Sequence, residues 1–182
     1  RAGVNAGNSI QSGGNYNVAV GDEAGTAITT GDGTIAIGWS AATAVTTGNN
    51  NVAVGSQSLK ATTTGNYNVA VGYQSLKANV DGDRNVAIGA DALLALDPAS
   101  NVDMYNVAVG YAAGAAVTTA TDSTFIGGNA GTTATTASGV TAVGMSAGTA
   151  LTTGGDNTAV GKQALKTATT GTGNTAVGKD AL

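Results

Sequence analysis

A motif of the form Asn-Val-Ala-Val-Gly recurs ten times along this chain, closing at Gly21, Gly38, Gly55, Gly72, Gly89, Gly110, Gly127, Gly144, Gly161 and Gly178. Eight of the nine intervals are 17 residues, and one, between Gly89 and Gly110, is 21. A period this short and strict argues against a globule around one central core. It predicts a solenoid, in which each repeat makes one turn and touches only its neighbours. The whole span 1–182 then reads as a single repeat domain with an enlarged coil at 89–109.

Each repeat carries its own structural instructions. The residue before the glycine is Val or Ile in every copy, and the third before it is Val, Ile or Thr. Between them stands Ala in nine copies and Phe125 in the tenth. Alternation of this kind marks a short strand, and β-branched side chains suit its pleat. The expectation is that the two branched residues fill the inside of the coil, while the alanines form a flat face buried between chains. Alanines that simply face water are the competing reading.

Asn stands four residues before the glycine in seven copies, including Asn51, Asn68, Asn85 and Asn157. Asn tolerates corners, and amides stacked at strand spacing can bond one another along a rod. The motif residues expected to build the structure are therefore Asn51, Val52, Ala53, Val54 and Gly55, with Asn68, Ala70, Gly72, Asn85, Ala87, Gly89, Asn157, Ala159 and Gly161.

Ala or Ser follows three residues after every glycine, and Leu59, Leu76, Leu93, Leu165 and Leu182 come next in five copies as candidate core fillers. A Thr-Thr pair, as in Ala27-Ile28-Thr29-Thr30, then predicts a second strand, ended by Gly or Ala. The fold class expected is all-β: a parallel β-solenoid, or β-roll, of about ten to eleven coils with two short strands each. Coils stacked about 4.8 Å apart give a rod of roughly 50 Å. Its core is thin, so association of several chains into a bundle would aid stability.

Composition narrows the chemistry. The chain has no Cys and no His, which removes thiol nucleophiles, disulfides, Cys/His zinc sites and the Ser-His-Asp arrangement. Eleven acidic residues lie mostly in turns and form no pair suited to glycoside hydrolysis. Asp32, Asp81 and Asp83 sit in Asp/Gly turns, where solvated turns and hard-cation loops compete as readings. No enzyme activity, cofactor or metal is expected. Net charge is −4 with no basic run, which argues against nucleic acid as a partner, and no apolar run is long enough to span a membrane.

The motif, with Ala or Ser three residues on, resembles the head repeat of trimeric autotransporter adhesins. The longer pattern Asn157-Thr158-Ala159-Val160-Gly161-Lys162-Gln163-Ala164-Leu165, followed by Thr169-Thr170-Gly171, also resembles repeats of bacteriophage tail fibres. The resemblance covers essentially the whole chain. It implies a left-handed β-roll with three chains around one axis, the motif strand near that axis, and an extracellular, cell-surface or virion location. A role in adhesion or reach follows from it. The 17-residue period is longer than is usual for adhesin heads, and no neck, stalk or anchor pattern is present.

Two irregular features are candidate partner contacts. Trp39, Tyr73 and Tyr111 directly follow a motif glycine, as do Met145, Lys162 and Lys179, and line one edge. That edge either binds glycans or a partner chain, or covers seams between chains. The enlarged coil carries Leu96, Met104 and Tyr105, on a bulge that is either a contact for a host-surface receptor or an ordinary loop. Neither end resembles a polar cap, so both a segment of a longer fibre and end-to-end stacking into a filament are expectations. The function expected is thus a structural fibre segment: adhesin head, tail-fibre shaft or self-assembling filament. The alternative is an ice-binding solenoid using the Thr ladder, although adjacent Thr residues on a strand point to opposite faces.

Overall fold

The computed structural model describes residues 3–182, so Arg1 and Ala2 of the N-terminal stretch lie outside the described residues. Each motif forms one three-residue strand: β1 (Val18–Val20), β2 (Ile35–Ile37), β3 (Val52–Val54), β4 (Val69–Val71), β5 (Val86–Ile88), β6 (Val107–Val109), β7 (Thr124–Ile126), β8 (Thr141–Val143), β9 (Thr158–Val160) and β10 (Thr175–Val177). All are parallel and pair in chain order to build one ten-stranded sheet, the wall of a β-solenoid. Register never slips. Ala53 lies opposite Ala70, and Ala87 opposite Ala108 across the enlarged coil.

The motif glycines make this stacking possible. Gly72 has φ +134°, and a Cβ there would stand 2.5 Å from the carbonyl oxygen of Gly89 in the next coil. Only a residue without a side chain lets consecutive coils approach so closely at this corner. A hydrogen bond from the Gly89 N–H to the Val71 carbonyl, 2.7 Å long, closes the same corner.

The faces of the strand are reversed from the sequence expectation. The central alanines, Ala36, Ala53, Ala70, Ala87, Ala108, Ala142 and Ala159, are fully buried within the single chain. The β-branched residues on either side point outward and are exposed or half-buried. The reason lies across the coil. A Cβ built on Gly25 or Gly148, four residues after a motif glycine, would sit 3.6 Å and 3.5 Å from the Ala19 and Ala142 methyls. The interior is thus one methyl wide on the strand side, and the larger groups come from the opposite wall.

Outside the enlarged coil, where Leu93 and Leu96 are both large and buried, that opposite wall keeps a nearly constant volume by exchange between two positions, four and seven residues after the glycine. Small and large alternate as Gly25 with Ile28, Ala42 with Val45, Gly114 with Val117 and Gly148 with Leu151, against Leu59 with Thr62, Leu76 with Asn79 and Leu165 with Ala168. Close packing makes each missing methylene costly, so the pair must fill the slot jointly. Leu59, Leu76, Leu93 and Leu165 occupy the slot with φ between +47° and +49°. A left-handed leucine costs about 1–2 kcal/mol, so its burial must outweigh that strain.

Among the described residues the expected second strand is absent. The Thr29 and Gly31 N–H groups both donate to the Thr46 carbonyl, at 3.0 and 3.2 Å, and the Thr29 hydroxyl donates to it at 3.1 Å. Coils are joined here, but the left-handed residue four after each glycine starts a bend that no extended segment follows. Each coil therefore has one strand and a series of turns.

Candidate interaction surfaces

Four features of the rod bear on what it can bind, and the first three are built by repetition. The first is internal support. Each buried motif asparagine accepts the N–H of its counterpart in the next coil at Oδ1, as Asn51 does from Asn68 at 3.0 Å and Asn68 from Asn85 at 3.0 Å. In the 17-residue coils its Nδ2 donates across the coil, Asn51 to the Gly65 carbonyl at 2.7 Å and Asn68 to the Gly82 carbonyl at 2.8 Å, whereas Asn85 Nδ2 donates to Asn68 Oδ1 and the Asp83 carbonyl. The left-handed residue of this corner is the one before the asparagine: Asn50, Tyr67, Arg84 and Tyr105 have φ between +53° and +58°. A second ladder of opposite direction lies two residues upstream of the asparagine. There Asp32 Oδ1 accepts the Asn15 N–H at 2.7 Å, Asn66 Oδ1 that of Asn49 at 2.9 Å, and Asp83 Oδ1 that of Asn66 at 2.7 Å. Asp32 and Asp83 thus cap backbone, and among the described residues no cluster of three or more metal-ligating side chains exists.

The asparagine ladder has three substitutions, Thr34, Ser123 and Val140, all buried. Ser123 stays within it, since its Oγ accepts the Val140 N–H at 3.1 Å and its own N–H donates to Asn106 Oδ1 at 3.2 Å. Thr34 Oγ1 is buried without a hydrogen-bond partner. Thr34→Asn is expected to add an acceptor for the Asn51 N–H and a donor for the Gly48 carbonyl, the bonds its neighbours make. The gain is about 1–2 kcal/mol, or several degrees in Tm, readable by thermal unfolding.

The second feature is the outward strand face. Two parallel files of Val, Ile and Thr run the length of the sheet, with Val18, Val20, Ile37, Ile88 and Ile126 all exposed. Nine strand spacings of about 4.8 Å give a continuous apolar strip roughly 43 Å long. Scattered apolar residues are ordinary on a surface; a strip of this regularity is a candidate contact surface.

The third feature is the edge that follows the motif glycines. Trp39, Tyr73, Tyr111 and Met145 are each about half exposed. They alternate with Ser56, Ala90 and Gly128, so that large residues occupy every second coil. Hydrogen bonds of 2.8–3.0 Å from the next residue of each following coil, such as Gln57 N–H to the Trp39 carbonyl and Asn129 N–H to the Tyr111 carbonyl, hold this edge rigid.

The fourth is the enlarged coil. It does not carry the contact residues expected of it: Leu96 and Met104 are buried in the core, and only Tyr105 is exposed. Met104 is drawn in because its N–H donates to the Asp83 carbonyl at 3.1 Å and its carbonyl accepts the Asp122 N–H at 2.8 Å. Outside, the Arg84 guanidinium pairs with Asp103 and lies 5.2 Å and 5.8 Å from the Tyr67 and Tyr105 ring centres. The Tyr105 hydroxyl donates to Asp103 Oδ2 at 3.0 Å, and that bond holds the phenol above its ordinary pKa. The hydrogen bond to Asp103 likewise raises Arg84. This cluster fastens the bulge to the rod.

The Thr pairs divide between roles. The first Thr of each pair up to Thr152 is half-buried and spends its hydroxyl on the next coil, as Thr46 does on the Thr63 carbonyl at 3.2 Å, whereas Thr169 in the last pair is exposed. The second, in Thr30, Thr47, Thr64, Thr119, Thr136, Thr153 and Thr170, is exposed as a single file. A shallow groove of about 590 Å³ lies nearby over Ala61, Ala78 and Ala95, flanked by Lys60 and Lys77. Among the described residues, no helix is long and apolar enough to cross a membrane.

No protein-family model matches the chain, and neither a curated protein nor a solved structure proves similar to it.

Proposed function

We propose that the chain is a structural segment of an extracellular fibre, at a cell surface or on a virion, and that it works as a homo-oligomer. The observation that carries this reading is the outward file of β-branched residues along every strand. Three copies closing these faces around one axis would bury the strip and thicken a core that is one methyl wide on its strand side. This corrects the route to the trimer: the surfaces that meet are Val52, Val54, Val69 and Val71, not the alanines between them. Adhesion and reach then fall to the edges that remain outside.

The test is the oligomeric state of the purified protein by analytical ultracentrifugation, with Val54→Glu and Val71→Glu as variants. The wild type is expected to sediment as three chains. A charge placed in a dry interface costs several kcal/mol, so each variant is expected to weaken association at least a hundredfold. Far-UV circular dichroism of the variants should be unchanged, because both positions point away from the coil interior. A wild type that stays monomeric at high concentration overturns the proposal. The same flat face, with Thr124, Thr141, Thr158 and Thr175 in one of its files, is the feature that favours ice binding as the second reading. Thermal hysteresis from a monomeric rod would select it.

A further inference from the structure

We infer that the edge formed by Trp39, Tyr73, Tyr111 and Met145 is a binding track for an extended β-1,4-linked glycan. The inference rests on reading the rod as an attachment segment, and it supplies the ligand class that such a segment would hold. Three observations carry it.

The first is spacing. Consecutive coils stand about 4.8 Å apart, so the large residues of alternate coils stand roughly 9.6 Å apart. In a fully extended β-1,4-linked chain each sugar is turned over relative to the last. The same ring face therefore returns only at every second sugar, at a distance close to this one. Ser56, Ala90 and Gly128 lie at the intervening coils, and a Cβ built on Gly128 meets nothing within 4 Å. The track is open where a sugar edge, rather than its face, would pass. A file whose purpose was to cover a seam between chains would have reason to be filled at every coil.

The second is residue type. Trp39 is the chain's single Trp, and Trp and Tyr combine a broad apolar face with a polar tip. Such rings are suited to the C–H faces of sugars while their polar atoms meet hydroxyls. In the three coils around Tyr73 the adjoining positions, Gln57, Gln74 and Asp91, form a half-exposed polar file, with Gln74 Nε2 donating to Gln57 Oε1 at 2.7 Å, while Ser40 beside Trp39 and Ala112 beside Tyr111 are buried.

The third is rigidity. The backbone under the track is bonded coil to coil, and the enlarged coil leaves it undisturbed, since Ala112 N–H donates to the Ala90 carbonyl at 2.9 Å across that coil. Weak stacking contacts held at fixed spacing add up as linked sites do.

The experiment is isothermal titration of the full chain with cellohexaose and chitohexaose, with maltohexaose as the coiled α-linked control. Binding of either β-linked hexasaccharide, and not of maltohexaose, is expected, and the better of the two identifies a plain or an N-acetylated glycan. Tyr73→Ala should weaken binding at least tenfold, and Tyr73→Trp should preserve it. The double change Tyr73→Ala with Ala90→Tyr keeps the number of rings but breaks their spacing, and should bind no better than Tyr73→Ala. Binding by that double variant as tight as the wild type's overturns the inference, as does a wild type that binds neither β-linked hexasaccharide at millimolar concentration. Sedimentation of the triple variant Trp39→Ala, Tyr73→Ala, Tyr111→Ala is read in parallel. Loss of the oligomer with glycan binding unchanged makes the edge a seam and also overturns it. A monomeric wild type that binds hexasaccharide defeats the oligomer reading alone.

Discussion

Replacing Gly72 by alanine is expected to destabilise the rod by more than about 4 kcal/mol, a loss confined to the few mechanisms that damage a core or strain a backbone. The added methyl would stand 2.5 Å from the Gly89 oxygen, 2.6 Å from its carbonyl carbon and 3.0 Å from the Ala90 nitrogen. All three are backbone atoms, so no side chain can swing away. The φ of +134° is itself unfavourable for any residue with a Cβ. Relief requires parting β4 from β5, which would stretch the bonds from Gly89 N–H to Val71 and from Asp91 N–H to Tyr73. Because each coil touches only its neighbours, the damage should be local in a way it is not in a globule. Hydrogen exchange is expected to rise sharply between residues 69 and 92 and to change far less in distant coils. Gly128→Ala is the control: its φ is not positive and the space around it is empty, so its effect should stay within about 0.5 kcal/mol. An equal loss in both variants would show that the close approach of coils is not what the motif glycine serves.

The parts of this fold that could be read from the chain are those set within one repeat. The period, the strand position and the glycine corner follow from local spacing and from the needs of a pleated strand. The direction the strand faces does not. A three-residue pattern of Val-Ala-Val can turn either one or two side chains inward, and nothing within the strand decides between them. The decision is made by Leu59, Leu76 or Leu151 on the other wall, whose inward bulk leaves the strand side one methyl of room. A signal was present in the exchange of Gly25 and Ile28 for Leu59 and Thr62, which only makes sense if both positions share one slot. The second strand failed for a related reason. Left-handed leucine and glutamine, as at Leu59 and Gln57, run against intrinsic preference and are imposed by stacking. On the surface, Leu96 and Met104 were misplaced because an insertion reads as a bulge, whereas their apolar side chains and the backbone bonds of Met104 pull them inward. The alternation of large and small residues after each motif glycine was legible, but its meaning needs the uniform coil spacing of the folded rod.

The same slot argument predicts a pair of changes that are each damaging alone and tolerable together. Phe125 replaces the strand alanine in β7, and its ring takes the space above Gly131 and Gly114: a Cβ at Gly131 would fall inside Phe125 Cδ1 and Cε1, and one at Gly114 would stand 3.0 Å from Phe125 Cδ2. Phe125→Ala leaves a cavity and should cost about 3–5 kcal/mol. Gly131→Leu in the presence of the ring should cost a similar amount through overpacking and the strain of a left-handed leucine. The double variant recreates the combination of Ala159, Leu165 and Ala168 two coils later, because Ala134 already stands where Ala168 does. It regains the burial of one leucine, about 2–3 kcal/mol, against the left-handed penalty of about 1–2 kcal/mol. Its stability should therefore lie within about 2 kcal/mol of the wild type and above both single variants. A coupling energy of that sign and size, measured by denaturant unfolding of all four proteins, is the mark of two residues filling one volume. Simple additivity would mean that the constant core section is a coincidence of the sequence, and that Phe125 is accommodated by some other displacement of the coil.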